Sequence, residues 1–223
     1  MLSGKSLLRK LIRESIKSES PEKLRVLDFD DTLAHTSEKV RIETPDGPEE
    51  YKLIGSDEFA VYDLGTNEYF HPDLAFEEFK KVDVEKAAPV PFVSDLFKTF
   101  VSAHGNRKIL ILTARGNEVK PFVMKFLEKK LGIPKPESRV DFVGVNSKEP
   151  LAKVRIIKQY IRNNPTIRFI SFYDDSGKNV SAVKSFIDKV NFNRDDDEKI
   201  GSDIRQVVED EEGNILLRNP QDD

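Results

Sequence analysis

The 223-residue chain contains no cysteine, which removes disulfides, thiolate metal sites and cysteine nucleophiles together. That composition fits a cytoplasmic protein, and the cytoplasm is the expected location. No apolar run approaches the length that crosses a bilayer. A glycine-rich P-loop pattern is missing, which weighs against phosphoryl transfer from a nucleotide. There are no internal repeats and no low-complexity tracts. A formal net charge of −4 gives no overall attraction for nucleic acid or an anionic membrane. What is left is a globular composition, 38% hydrophobic and 34% charged, sized for one domain with an insertion or for two small domains.

The densest chemistry lies in Leu24-Arg25-Val26-Leu27-Asp28-Phe29-Asp30-Asp31-Thr32-Leu33. A short branched apolar run suits a buried parallel strand, and three carboxylates in four residues follow it. Packed carboxylates repel and are costly to desolvate, so such a cluster calls for a cation among them or for acid or nucleophile work. Alternation along an extended backbone sends Asp28 and Asp30 to one side, where their hard oxygens suit Mg²⁺. The plain alternative is a solvated turn and helix cap.

The rest of the chain supplies a setting. Met1 to Ser20 is basic and amphipathic, with Leu7, Leu8, Leu11, Ile12 and Ile16 at helical spacing; a helix packed on the core is favoured over a targeting or membrane-surface helix. Residues 21–36 and 89–193 read as an α/β core, and 37–88 as a small insertion. In the insertion, Val40 to Thr44 and Tyr51 to Ile54 flank Pro45-Asp46-Gly47-Pro48 as a β-hairpin, and Leu74 to Lys81 reads as a short helix. Beyond the insertion, strands at 108–112, 140–145 and 167–173 alternate with helices at 91–103, 118–131 (Asn117 as its cap), 150–162 and 177–190. That alternation predicts a doubly wound, mainly parallel sheet covered on both faces. Residues 194–223 form an acidic segment in which 204–208 and 215–217 suggest an edge hairpin.

Parallel sheets bind ligands at the carboxyl ends of their strands. The first predicted strand delivers Asp28, Asp30 and Thr32 there. The second delivers Thr113-Ala114-Arg115, a hydroxyl and free N–H groups that would cradle a phosphate, and the last delivers Asp174-Asp175-Ser176. Lys153, in the first turn of its helix, is the favoured cation over Lys148 and Lys158. Metal, phosphate and cation sites at four separate strand or helix ends point to a phosphate-handling Mg²⁺ site.

These motifs resemble those of the haloacid dehalogenase superfamily of phosphatases. Asp28-Phe29-Asp30-Asp31-Thr32 is similar to its first motif, Leu112-Thr113-Ala114-Arg115 to its second, Lys153 to its third and Asp174-Asp175 to its fourth. The resemblance implies a phosphomonoester hydrolase with Asp28 as nucleophile, Asp30 as acid/base, Thr113 and Lys153 as phosphate ligands, and Asp174 and Asp175 as metal-side carboxylates. With them, Asp28 and Asp30 make up the expected Mg²⁺ set, while Thr32, Ala114 and Arg115 are candidate substrate contacts. It also implies a Rossmann-like core and a cap at the insertion that selects substrate. A short cap would admit a nucleic-acid end or a phosphoprotein, whereas Tyr62, Tyr69 and Phe70 could stack the base of a nucleotide. A phosphorylatable receiver-like signalling domain and a non-catalytic scaffold are the alternatives.

Overall fold

In Ile109-Leu110-Ile111-Leu112 neither face is polar, and the structure shows why. Ile109 and Ile111 point into one hydrophobic cluster, Leu110 and Leu112 into another, so the strand is buried on both sides, as parallel sheets require. The computed structural model describes residues 22–44, 51–55, 58–59, 62–71, 74–103 and 107–220. The expected N-terminal helix and the Pro45–Pro48 turn lie outside them.

The described chain is a mixed α/β structure around a six-stranded, mainly parallel sheet with four helices. The strands are β1 (Glu22–Leu27), β6 (Arg107–Thr113), β7 (Asp141–Gly144), β8 (Ile167–Asp174), β9 (Gly201–Glu209) and β10 (Ile215–Arg218), in the order β10-β9-β8-β1-β6-β7. Every neighbouring pair is parallel except β9–β10. Helices α1 (Pro91–Ser102) and α2 (Lys120–Lys129) pack one face through Val93, Phe97, Val123 and Phe126. Helices α3 (Pro150–Asn163) and α4 (Gly177–Phe192) pack the other through Val154, Ile157, Val180 and Val183. Each such side chain contributes about 1.5–3 kcal/mol on full burial.

Chain direction across the sheet reverses beside β1. From β1 the chain runs outward through β6 and β7, then returns to the opposite edge of β1 as β8. Parallel sheets open a crevice at such a reversal, and Asp28 and Asp174 lie at that reversal, at the ends of β1 and β8.

The insertion leaves the core through a neck of two short antiparallel strands, β2 (Ala34–His35) and β5 (Ala88–Pro89). Inside it, β3 (Val40–Glu43) and β4 (Tyr51–Ile54) pair antiparallel. The expected helix at 74–81 is instead a turn followed by one 3₁₀ turn at Glu78–Lys80. Eight residues are too few to hold a helix by themselves, and Phe76 and Phe79 turn toward Phe59 instead. Asn117 caps nothing with its side chain; its Oδ1 accepts the Gly144 N–H at 2.9 Å, tying the loop after β6 to β7.

Candidate active site

The turn after β1 sets the geometry. Leu33 and Ala34 N–H groups both return to the Phe29 carbonyl at 2.9 Å, and Asp31 takes φ 51°, a left-handed conformation that Asp tolerates better than most residues. This tight loop stacks Asp28 and Asp30 against the end of β8, where the Asp28 N–H donates to the Tyr173 carbonyl at 2.9 Å. On the other side, loops after β6 and β7 are zipped together, with Val145, Asn146 and Ser147 N–H groups bonded to the carbonyls of Thr113, Arg115 and Ala114.

Asp28, Asp174 and Asp175 each offer a carboxylate oxygen within 4.8 Å of the others. Lys153, 2% exposed, stands over this group. Its Nζ donates to Asp174 Oδ2 at 2.7 Å and sits 2.9 Å from Asp28 Oδ1. The second contact is an ion pair outside hydrogen-bond geometry, so Asp28 Oδ1 is buried without a hydrogen-bond partner. Asp174 is fully satisfied, its Oδ1 taking the Ser176 N–H at 3.0 Å and Asn179 Nδ2 at 2.9 Å. Asp175 is held by Thr32, whose Oγ1 donates to Asp175 Oδ1 at 3.2 Å and accepts from its N–H at 2.9 Å.

Three carboxylates and one ammonium packed this closely strain the usual protonation states. Burial pushes Asp28 up to about 7, with Asp174 and Asp30 adding to the shift and Lys153 resisting it. Burial, then Asp174 and Asp28, raise Asp175 well above its ordinary value. Burial lowers Lys153, but Asp174 and Asp28 outweigh it and keep the ammonium charged. An all-oxygen donor set with a surplus of negative charge and one orphaned buried oxygen fits a hard divalent cation; Asp28, Asp174 and Asp175 are the residues that would hold Mg²⁺.

Asp30 does not join them. Its two oxygens lie on Arg115, 2.7 Å from Nη2 and 2.9 Å from Nε, and Thr36 Oγ1 donates to it at 2.8 Å. Burial would raise its pKa, but the Arg115 charge and hydrogen bonds win and hold it below the ordinary value. The side chain of Asp30 is thus engaged as the ion-pair partner of Arg115 and stands outside the three-carboxylate cluster. Arg115 is also not free to meet substrate with its full fork: Nη1 donates to the carbonyls of Phe79 and Lys81, Nη2 to Glu38, and the guanidinium lies 4.3 Å from the Phe79 ring centre.

Thr32 is fully buried, its hydroxyl engaged with Asp175. Thr113 is also fully buried, its Oγ1 accepting the Arg115 N–H at 3.2 Å; the cleft wall at that strand end is Ala114, Arg115 and Gly116. Of the three candidate lysines, Lys153 alone reaches the carboxylates: Lys148 lies over Phe59 and Phe70, and Lys158 is on the exposed face of α3.

No family model, curated protein or solved structure matches the chain. A cleft of about 380 Å³ opens above the carboxylates, floored by Asp28, Asp30, Asp175 and Lys153 and walled by Phe59, Phe70, Phe76 and Phe79 of the insertion. Asn179, Thr36 and Glu38 are the polar groups that motif reading missed. Asn179 had a signal, being one turn into the helix that follows Asp174-Asp175. Thr36 and Glu38 had none, because only the folded neck brings them to Arg115.

Proposed function

We propose that the chain is a Mg²⁺-dependent phosphomonoester hydrolase of the haloacid dehalogenase type, with Asp28 as its nucleophile. The observation that carries this reading is the buried Asp28 Oδ1, which has no hydrogen bond and only the Lys153 ammonium beside it at 2.9 Å, in a cluster with two further carboxylates beneath an open cleft. A structural ion-pair cluster would be expected to satisfy that oxygen, since an unmade bond on a buried polar group costs about 1–3 kcal/mol.

The chemistry follows from the charges. A carboxylate meets a phosphate ester only where their repulsion is neutralised. Lys153 supplies one fixed positive charge, and with two of its three N–H groups near Asp174 and Asp28 it keeps a third for a phosphate oxygen. Mg²⁺, when bound by Asp28, Asp174 and Asp175, would supply the remaining charge neutralisation. An Asp28 oxygen then forms a bond to phosphorus as the bond to the ester oxygen breaks, leaving an aspartyl-phosphate and an alkoxide that becomes the alcohol on taking a proton from Asp30 or water. Water attacks that phosphorus in the second step, restoring Asp28 and releasing phosphate. Asp30, kept ionised by Arg115, is suited to take the proton from that water. Its acid half, protonating the departing oxygen, works against the same ion pair, so esters with good leaving groups should depend on Asp30 least.

Phosphate release from 4-nitrophenyl phosphate tests the reading. Release is expected with Mg²⁺, and is expected to vanish in excess chelator and in Asp28→Asn. Undiminished release in either condition would overturn the assignment.

A further inference from the structure

The cleft has two unlike halves. Its floor is the carboxylate and lysine group, whereas the insertion contributes four phenylalanines, Phe59, Phe70, Phe76 and Phe79. Their ring centres lie 5.5–6.5 Å apart, most of them edge to face. The core of the insertion proper, Val40, Ile42 and Ile54, is closed, with Phe59, Phe70 and Phe79 packed on it yet only partly buried. Phe76 keeps 37% of its surface exposed. If these rings served only to close a mini-core, their free faces would turn inward; instead they line the same cleft as Asp28. A phosphoryl group alone would leave most of 380 Å³ empty, a size that falls among pockets of about 300–1,000 Å³ that take whole small molecules.

On the hydrolase reading above, we infer that this wall seats the leaving group, and that the substrates are phosphomonoesters whose leaving group carries a planar aromatic ring. An edge-to-face array of phenylalanines accepts one more ring in the same manner. Lys148, its ammonium 5.2 Å from the Phe59 centre and 5.8 Å from that of Phe70, adds a cation at the rim that favours the face of an incoming ring. The ring is either a nucleobase, spaced from phosphorus by its sugar, or a simple aryl group close to the ester oxygen.

Matched ester pairs separate ring recognition from leaving-group chemistry. Adenosine 5′-monophosphate and ribose 5-phosphate share the same ester and differ by the base, and benzyl and cyclohexylmethyl phosphate differ by aromaticity. The aromatic member of at least one pair is expected to have about tenfold or higher kcat/KM, the magnitude of one base–aromatic stack, and the pair with the larger ratio identifies the source of the ring. Phe76→Ala, at a partly exposed position, and Phe76→Leu, which keeps apolar volume, are both expected to bring that ratio toward one. Ratios near one in both pairs, or a ratio untouched by either variant, would overturn the inference. Calorimetric affinities of the same esters for Asp28→Asn, with Mg²⁺ present, read the wall without turnover. Affinity favouring the aromatic member with no turnover in the native chain would sink the hydrolase reading and keep the aromatic seat; turnover with equal affinities would do the reverse.

Discussion

Asp28 and Lys153 carry opposite burdens. Among the described residues Lys153 is the sole ammonium against Asp28 and Asp174, so Lys153→Met leaves buried carboxylates uncompensated. Removing one partner of a buried pair costs about 3–5 kcal/mol; the urea midpoint should fall accordingly, and saturating Mg²⁺ should recover part of the loss. Asp28 gives the pH dependence its sign. In the fold its carboxyl holds its proton up to about 7, against 3.8 ordinarily. Between those values the folded state binds more protons than the unfolded chain, so stability falls as pH rises through the window. Asp175, also raised, acts in the same direction. Asp30, held low by Arg115, adds stability above the ordinary carboxyl range that is lost only as pH drops through its lower folded value. The metal-free chain is therefore expected to show a lower urea midpoint at pH 7 than at pH 5, and Asp28→Asn to flatten that slope. A midpoint that rises over the interval contradicts the burial argument.

At the scale of elements, Arg115 is the bolt between insertion and core. It joins Asp30 after β1, Glu38 after the neck and the carbonyls of Phe79 and Lys81. Arg115→Ala strands two buried carboxylates and should cost about 3–5 kcal/mol. Arg115→Lys keeps the charge but loses the planar fork, so amide exchange in 74–84 should quicken in both variants while strands β1 and β8 stay protected. Gly144 ends β7 against the loop after β6, where a Cβ would meet the Gly116 backbone and lie 2.6 Å from the Arg115 carbonyl oxygen. Gly144→Ala should therefore displace Arg115 and lower stability by about 1–3 kcal/mol, read as a shifted thermal midpoint. These couplings were the least legible in sequence. Asp28, Asp174 and Lys153 announced themselves by position at strand and helix ends. Apart from Asp30, the partners of Arg115 did not, because all four, Thr36, Glu38 and the carbonyls of Phe79 and Lys81, come from an irregular segment with no periodicity to read and two of them are backbone groups.

Across the whole molecule, legibility follows burial. Strand β6, apolar on both faces from Ile109 to Leu112, and the apolar runs within β1 and β8 could be placed from sequence, and so could α1, α3 and α4 with proline or glycine at their starts. The insertion, where aromatics pack around short strands, misled the helix reading at 74–81. Among the described residues no helix is long and apolar enough to cross a membrane. The central claim about this architecture is that its reversal point, between β1 and β8, frees one oxygen of Asp28 for covalent work. Rapid acid quench of the chain turning over a phosphomonoester with Mg²⁺, followed by peptide mass spectrometry, tests that claim most directly. A phosphoryl group on Asp28 that decays as free phosphate appears is the expected result. No adduct during turnover, an adduct on another residue, or one that persists without release of phosphate would contradict it.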